Sequence, residues 1–228
     1  MRSIRLSVCF AIVAVMTLCS GAQAQNPELI INGGFEGNIL SADTNVLTAG
    51  NTFSFDNDFL ANDAFAFRDN TTPFAGSFHG TAGILFLENS FAGFVQQINN
   101  ITVGANYNFD FYARSQTPTL GGINAEFRTE YLDAAGNFIG GQFINNVDIS
   151  SSLTDTYQLF SQNTVAPVGA TTLSAVVVVQ SFGVGDGSND NVGAIDVDNF
   201  SVSIVPEPTS LGLLGLAAAG LVVRRRRS

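Results

Sequence analysis

Lysine and tryptophan are absent from this chain, histidine occurs once, at His79, and the only cysteines, Cys9 and Cys19, stand close to its beginning. Each absence excludes something. Beyond Cys19 there is no thiol, hence no disulfide and no cysteine-bound metal. An exported domain built that way is held by its core, with or without a cation. A single histidine rules out a centre made of several, and no Gly-x-Ser-x-Gly turn accompanies it as a serine triad would require. Between Phe78 and Gly80, His79 reads as a loop residue. The missing tryptophan removes the largest ring for stacking on sugars. Positive charge is scarce as well. Between Gln25 and Val205, three cations (Arg68, Arg114 and Arg128) face 18 carboxylates, a net charge of −15. Such a surface repels a phosphate backbone, which argues against a nucleic-acid partner, and it suits divalent cations.

The two ends differ in character from the middle. Arg2 and Arg5 open the chain, a largely apolar run covers 6–18, and small residues follow to Ala22-Gln23-Ala24. This is the layout of a secretory signal peptide over 1–24, with Gln25 as the expected mature N-terminus. The alternative, a membrane-spanning anchor, wants about 20 apolar residues, more than this run supplies. At the other end, 205–228 reads as a tail. Val205-Pro206-Glu207-Pro208 is followed by a wholly apolar or glycine run over 211–223 and then by Arg224, Arg225, Arg226 and Arg227. The prolines keep the last strand from running on into a helix. The arginines resist crossing and favour the cytoplasmic face.

Pro206-Glu207-Pro208, the apolar run and the arginine cluster together resemble the PEP-CTERM sorting signal. That resemblance implies export, recognition by an exosortase-like peptidase, transient anchoring in the inner membrane, and association with extracellular polysaccharide and biofilm.

The middle, 25–204, is expected to be all-β. Phenylalanine is abundant, with 20 in the chain, and long helical periodicity is absent. Alternation places Tyr107, Phe109, Phe111 and Ala113 on one face and Asn108, Asp110, Tyr112 and Arg114 on the other. It likewise places Ala125, Phe127 and Tyr131 inward and Glu126, Arg128 and Glu130 outward. A turn over 133–137 leads into Phe138 and Ile139. Further strands are expected at 29–32, 83–88, 93–98, 156–161, 172–180 and 195–204, with Val176 to Val179 buried on both faces. Strands at this spacing without helices predict a β-sandwich rather than a membrane barrel, which would need lipid-facing bands and aromatic girdles and on which the C-terminal tail would be pointless. The succession Asn32-Gly33-Gly34-Phe35-Glu36, the 93–114 stretch, Ala166-Pro167-Val168-Gly169-Ala170 and the closing 195–202 segment resembles jelly-roll carbohydrate-binding modules of the galactose-binding-like type.

Three candidate sites follow. In the last strand Ile195 and Val197 point inward, and so should Phe200 and Val202, so the parity change implies a β-bulge near Asp198 and Asn199. Glu36 emerges nearby if first and last strands pair. Carboxylates and freed carbonyls are what calcium takes, and in the resembling modules the positions of Glu36 and Asp198 hold a structural calcium. Turn capping is the simpler alternative for both. The second candidate, 186–191, lacks the glycine and the final glutamate of an EF-hand loop and reads as a flexible acidic loop. For sugar binding, Tyr112 is the most plausible exposed ring, with Phe91, Phe94 and Phe182 near turns and equally suited to packing. No catalytic residue is singled out. The expectation is a non-enzymatic surface or matrix protein that binds polysaccharide. A purely structural protein is the alternative, and a polysaccharide hydrolase ranks last.

Overall fold

The computed structural model describes residues 28–37, 40–41, 52–57, 64–85, 90–116, 123–141, 144–181 and 193–205. The signal segment 1–24, the acidic loop 186–191, Phe182, and the tail from Pro206 through Arg227 lie outside the described residues.

The described chain is all-β, in two sheets. One sheet has six strands: β1 (Leu40–Ser41), β2 (Thr52–Asn57), β5 (Phe91–Asn99), β10 (Thr172–Gln180), β7 (Asn124–Leu132) and β8 (Asn146–Asp148), neighbours in that order. The other has five: β3 (Ala64–Asp69), β4 (His79–Ile84), β11 (Gly193–Val205), β6 (Asn106–Ser115) and β9 (Gln158–Val165). All pairings are antiparallel except β1 with β2.

The core lies between the sheets, where alternation puts it. Tyr107, Phe109, Phe111 and Ala113 of β6 are buried against Ala125, Phe127 and Tyr131 of β7 in one apolar cluster. Phe109 and Phe111 both meet Phe127 edge-on, at 5.6 and 5.0 Å between ring centroids, a geometry that aromatic quadrupoles favour. In β10, Val176 to Val179 are buried on both faces.

Several expectations shift. The segment at 29–32 is not a strand. It is clipped to β11 by a bridge between Glu28 and Ser203 and by the Leu29 N–H donating to Val202 O at 2.8 Å. The strand expected at 83–88 begins earlier, at His79, and the one expected at 156–161 runs from Gln158 to Val165. Glu126, Arg128 and Glu130 do face away from the core, yet they are buried rather than solvated. Pairing makes that tolerable: Arg128 Nε lies 2.9 Å from Glu130 Oε1.

Candidate functional site

The outer face of the five-stranded sheet carries the site. Strand register sets side chains there in rows. Phe65 of β3 stands opposite Gly83 of β4, and Phe67 opposite Thr81. Thr81 stands opposite Asp196 of β11, and Asp196 opposite Arg114 of β6.

Asp196 anchors the middle row. It is fully buried and accepts hydrogen bonds from Thr81 Oγ1 at 2.8 Å, Gln116 Nε2 at 2.6 Å and Arg114 Nε at 2.8 Å. His79 Nε2 lies 3.2 Å from its Oδ1. Burial alone would raise this carboxyl, but the hydrogen bonds from His79, Gln116, Thr81 and Arg114 together hold it below its ordinary value. His79, expected in a loop, opens β4 and is fully buried. The Thr81 hydroxyl, which donates to Asp196, also lies 3.1 Å from His79 Nε2, so the three side chains form one hydrogen-bonded cluster.

The connection from β3 to β4, residues 70–78, folds back over this face. Phe74 stacks on Tyr112, ring centroids 3.8 Å apart and planes 14° apart. The Ala75 N–H donates to Asp198 Oδ2 at 3.0 Å. Thr72 bonds to Arg114 through its hydroxyl and accepts from Tyr157 Oη through its carbonyl, at 3.1 Å. Tyr112 is therefore on the expected polar face, but one side of its ring lies under Phe74, which is itself 42% exposed.

Beyond the edge of that strap the face stays open as a groove of about 530 Å³. Phe65 and Phe67 form one wall, and Thr81, Arg114, Gln116, Asp69, Thr71 and Asp155 supply polar groups. The two rings are 5.5 Å apart and tilted by 32°. Phe67 is 47% exposed. Gly83 makes room for Phe65: a Cβ there would lie 2.4 Å from the ring. Sequence reasoning passed over this strand. Its signal was the alternation in Ala64-Phe65-Ala66-Phe67, but there the small alanines face the core and the phenylalanines face out. Of the other rings considered, Phe94 is in the core, edge-on to Phe35 at 5.0 Å, and Phe91 packs on a small cluster of Val95, Val176 and Val178.

The two carboxylates of the candidate cation site are both held by the 70–78 connection. A register shift between Asp198 and Ser201, with Asn199 at φ 49°, is the expected bulge. The Phe200 N–H donates to Gly33 O at 2.8 Å, which brings the Gly33–Glu36 turn against it. Glu36 Oε1 accepts the Ser77 and Phe78 N–H groups at 2.7 and 3.1 Å. Both carboxylates thus converge on the same strap. The carbonyls of Phe35 and Glu36 accept from Arg68, at 2.5 and 2.6 Å. Asp198 is fully buried, and burial pushes its carboxyl up despite the N–H donors of Ala75 and Asn199. Among the described residues no group of three histidine, cysteine or acidic side chains is arranged to hold a metal.

Comparison with known proteins adds the address and the fold. Residues 205–227 match the PEP-CTERM protein-sorting motif. The chain ends in a PEP-CTERM sorting motif. That motif implies export, membrane anchoring and processing by an exosortase. Among the described residues no helix is long and apolar enough to cross a membrane. No curated protein matches the sequence significantly. The body of this PEP-CTERM chain superimposes on the xylan-binding domain of a Paenibacillus barcinonensis protein with TM-score 0.51 and 12% identity, covering 82% of this chain and 99% of that one. It also superimposes on the enzymatically active domain of tailspike protein 4 of bacteriophage CBA120, with TM-score 0.55 and 17% identity, over 78% of this chain. This chain spans only 21% of the tailspike's length. The fold is the jelly-roll β-sandwich of carbohydrate-binding modules.

Proposed function

We propose that this is a non-enzymatic surface protein that binds polysaccharide in the groove on its five-stranded sheet. The observation that carries the reading is the pair Phe65 and Phe67, half-open at the wall of a groove whose remaining lining is hydrogen-bonding. A sugar presents an apolar C–H face and a rim of hydroxyls, and the groove offers a ring for the first and polar groups for the second. Arg114 is already paired with Asp196, so Asp69 and Asp155 set the sign of the groove, which favours neutral or cationic chains over anionic ones. Tyr112 contributes by holding Phe74 in place at the rim. The similarity of the body to a xylan-binding domain supports the class of ligand.

Phe67→Ala tests this directly. Binding to a panel of neutral polysaccharides, measured by affinity electrophoresis, is expected to weaken about tenfold or more, as loss of an interfacial aromatic anchor does. Melting should stay nearly unchanged, because the ring is at the surface. Absence of any binding by the unaltered protein would favour the purely structural reading. Release of sugar products, lost with Asp69→Asn or Asp155→Asn, would revive the hydrolase.

The reading includes a structural calcium at Glu36 and Asp198. What supports it is a buried carboxylate, Asp198, whose described partners are N–H donors, at the bulge and on the same strap as a second carboxylate. A cation would remove the burial penalty on Asp198. Calcium is expected to raise the melting temperature and a chelator to lower it, by several degrees, with Asp198→Asn abolishing the difference. Equal melting in calcium and chelator would leave Glu36 and Asp198 as caps of the strap.

A further inference from the structure

β11 delivers the chain to one particular end of the sandwich. Val205, its last residue, pairs with Asn106 at the start of β6, and Asn106 pairs with Val165 at the end of β9. Three connections meet at that same end: residues 100–105, 133–141 and 166–171. Backbone hydrogen bonds join them into one surface. Gly104 N–H donates to Ala166 O at 2.9 Å, Ala166 N–H to Ala105 O at 3.0 Å, Ile101 N–H to Thr171 O at 3.3 Å and Thr171 N–H to Leu132 O at 2.9 Å.

This end is almost without charge and carries exposed apolar side chains among its polar and glycine residues. Val168 at its tip is 88% exposed, Val103 46% and Phe138 43%. Asp133 is the one ionisable residue in the three segments, and its carboxylate is taken up by the Ala135 and Asn137 N–H groups. In a body of net charge −15, a charge-poor end bearing exposed valines and a phenylalanine is the exception. It sits where the anchor leaves. Five residues of chain separate Val205 from Leu211, the first of the apolar run, so the two are at most about 20 Å apart. While the tail is inserted, this end is held within that reach of the bilayer. A carboxylate there would resist approach to an interface, whereas apolar tips gain from it.

We propose that, in the anchored protein, this end of the sandwich rests on the lipid surface, with Val103, Phe138 and Val168 entering the interfacial layer. The proposal rests on anchoring through the PEP-CTERM tail. It orients the molecule: the groove, at the far end of β6 beside Gln116, then faces away from the membrane, toward extracellular polymer.

The absence of tryptophan supplies a clean test, since any introduced one is a sole reporter. The full chain carrying Val168→Trp, reconstituted in phosphatidylcholine vesicles containing acyl-brominated lipid, is expected to lose at least half its fluorescence. Ser151→Trp, at the opposite end where the Ile149 N–H bonds Ala125 O, should keep its emission. Adding Val103→Asp to the V168W chain should restore much of the lost signal. A chain that floats with the vesicles but leaves V168W no more quenched than S151W overturns the docking surface and keeps the anchor. A chain that does not float with vesicles overturns both.

Discussion

Asp196→Ala is expected to destabilise the domain by about 3–5 kcal/mol, the usual cost of removing one partner of a buried ion pair. For a domain of this size that corresponds to a melting temperature lower by roughly 10 °C. The loss is large because Asp196 is the common acceptor for Thr81, Gln116 and Arg114, with His79 alongside. Without it, Arg114 holds a largely covered positive charge with no carboxylate opposite, and donors from β4 and from the end of β6 lose their common acceptor. Asp196→Asn preserves shape and should lie between the two. Acid supplies an independent check. The folded-state carboxyl sits below its ordinary value, so its contribution is complete above the ordinary carboxyl range, near pH 4, and is lost as pH falls through the lower folded value. The difference between wild type and D196N, followed by thermal melts, should therefore shrink on acidification. A constant difference down to pH about 2 would show that the charge on Asp196 is not what stabilises the cluster.

Phe111→Ala should cost a similar amount, about 3–5 kcal/mol, for a different reason. Phe111 is fully buried and bridges the sheets. Its ring meets Phe127 of β7 at 5.0 Å, Phe109 at 5.5 Å and its cross-strand partner Phe160 at 5.5 Å. Truncation removes the apolar burial and leaves a cavity that two antiparallel sheets, pinned by their hydrogen bonds, are poorly able to close. Unlike D196A, this loss should be insensitive to pH. Phe111→Leu, which refills most of the volume, should recover more than half of it in denaturant titration. Comparable losses in the Ala and Leu variants would mean that the aromatic geometry, rather than the volume, is the main contribution.

Phe111 and Asp196 lie on neighbouring strands yet differ in how visible they are in the sequence. Phe111 lies in Tyr107-Asn108-Phe109-Asp110-Phe111-Tyr112-Ala113-Arg114, where apolar and polar residues alternate without exception on the inward side, so the buried face could be read from one strand alone. The same holds for the bulge at Asp198 and Asn199, which the change of parity between Val197 and Phe200 required. His79 and Asp196 show no such signal. A polar residue on the outward side of a strand, or in a loop, reads as solvated, and the burial of these two depends on side chains of neighbouring strands that meet only in the fold.

The sequence alone determined the exported character, the acidic body, the β-sandwich and the faces that form its core, because those depend on composition, on segment order and on period-two alternation. Tertiary structure decided where an open groove lies. In Ala64-Phe65-Ala66-Phe67 both faces are apolar, so alternation separates two sides without saying which is inside. The packing of β3 on β4 chose the alanines for the core and left the phenylalanines at the groove. The stacking of Phe74 on Tyr112, residues far apart in the chain, covered the ring that looked most open. Such choices depend on which distant segments meet, and no local pattern encodes that.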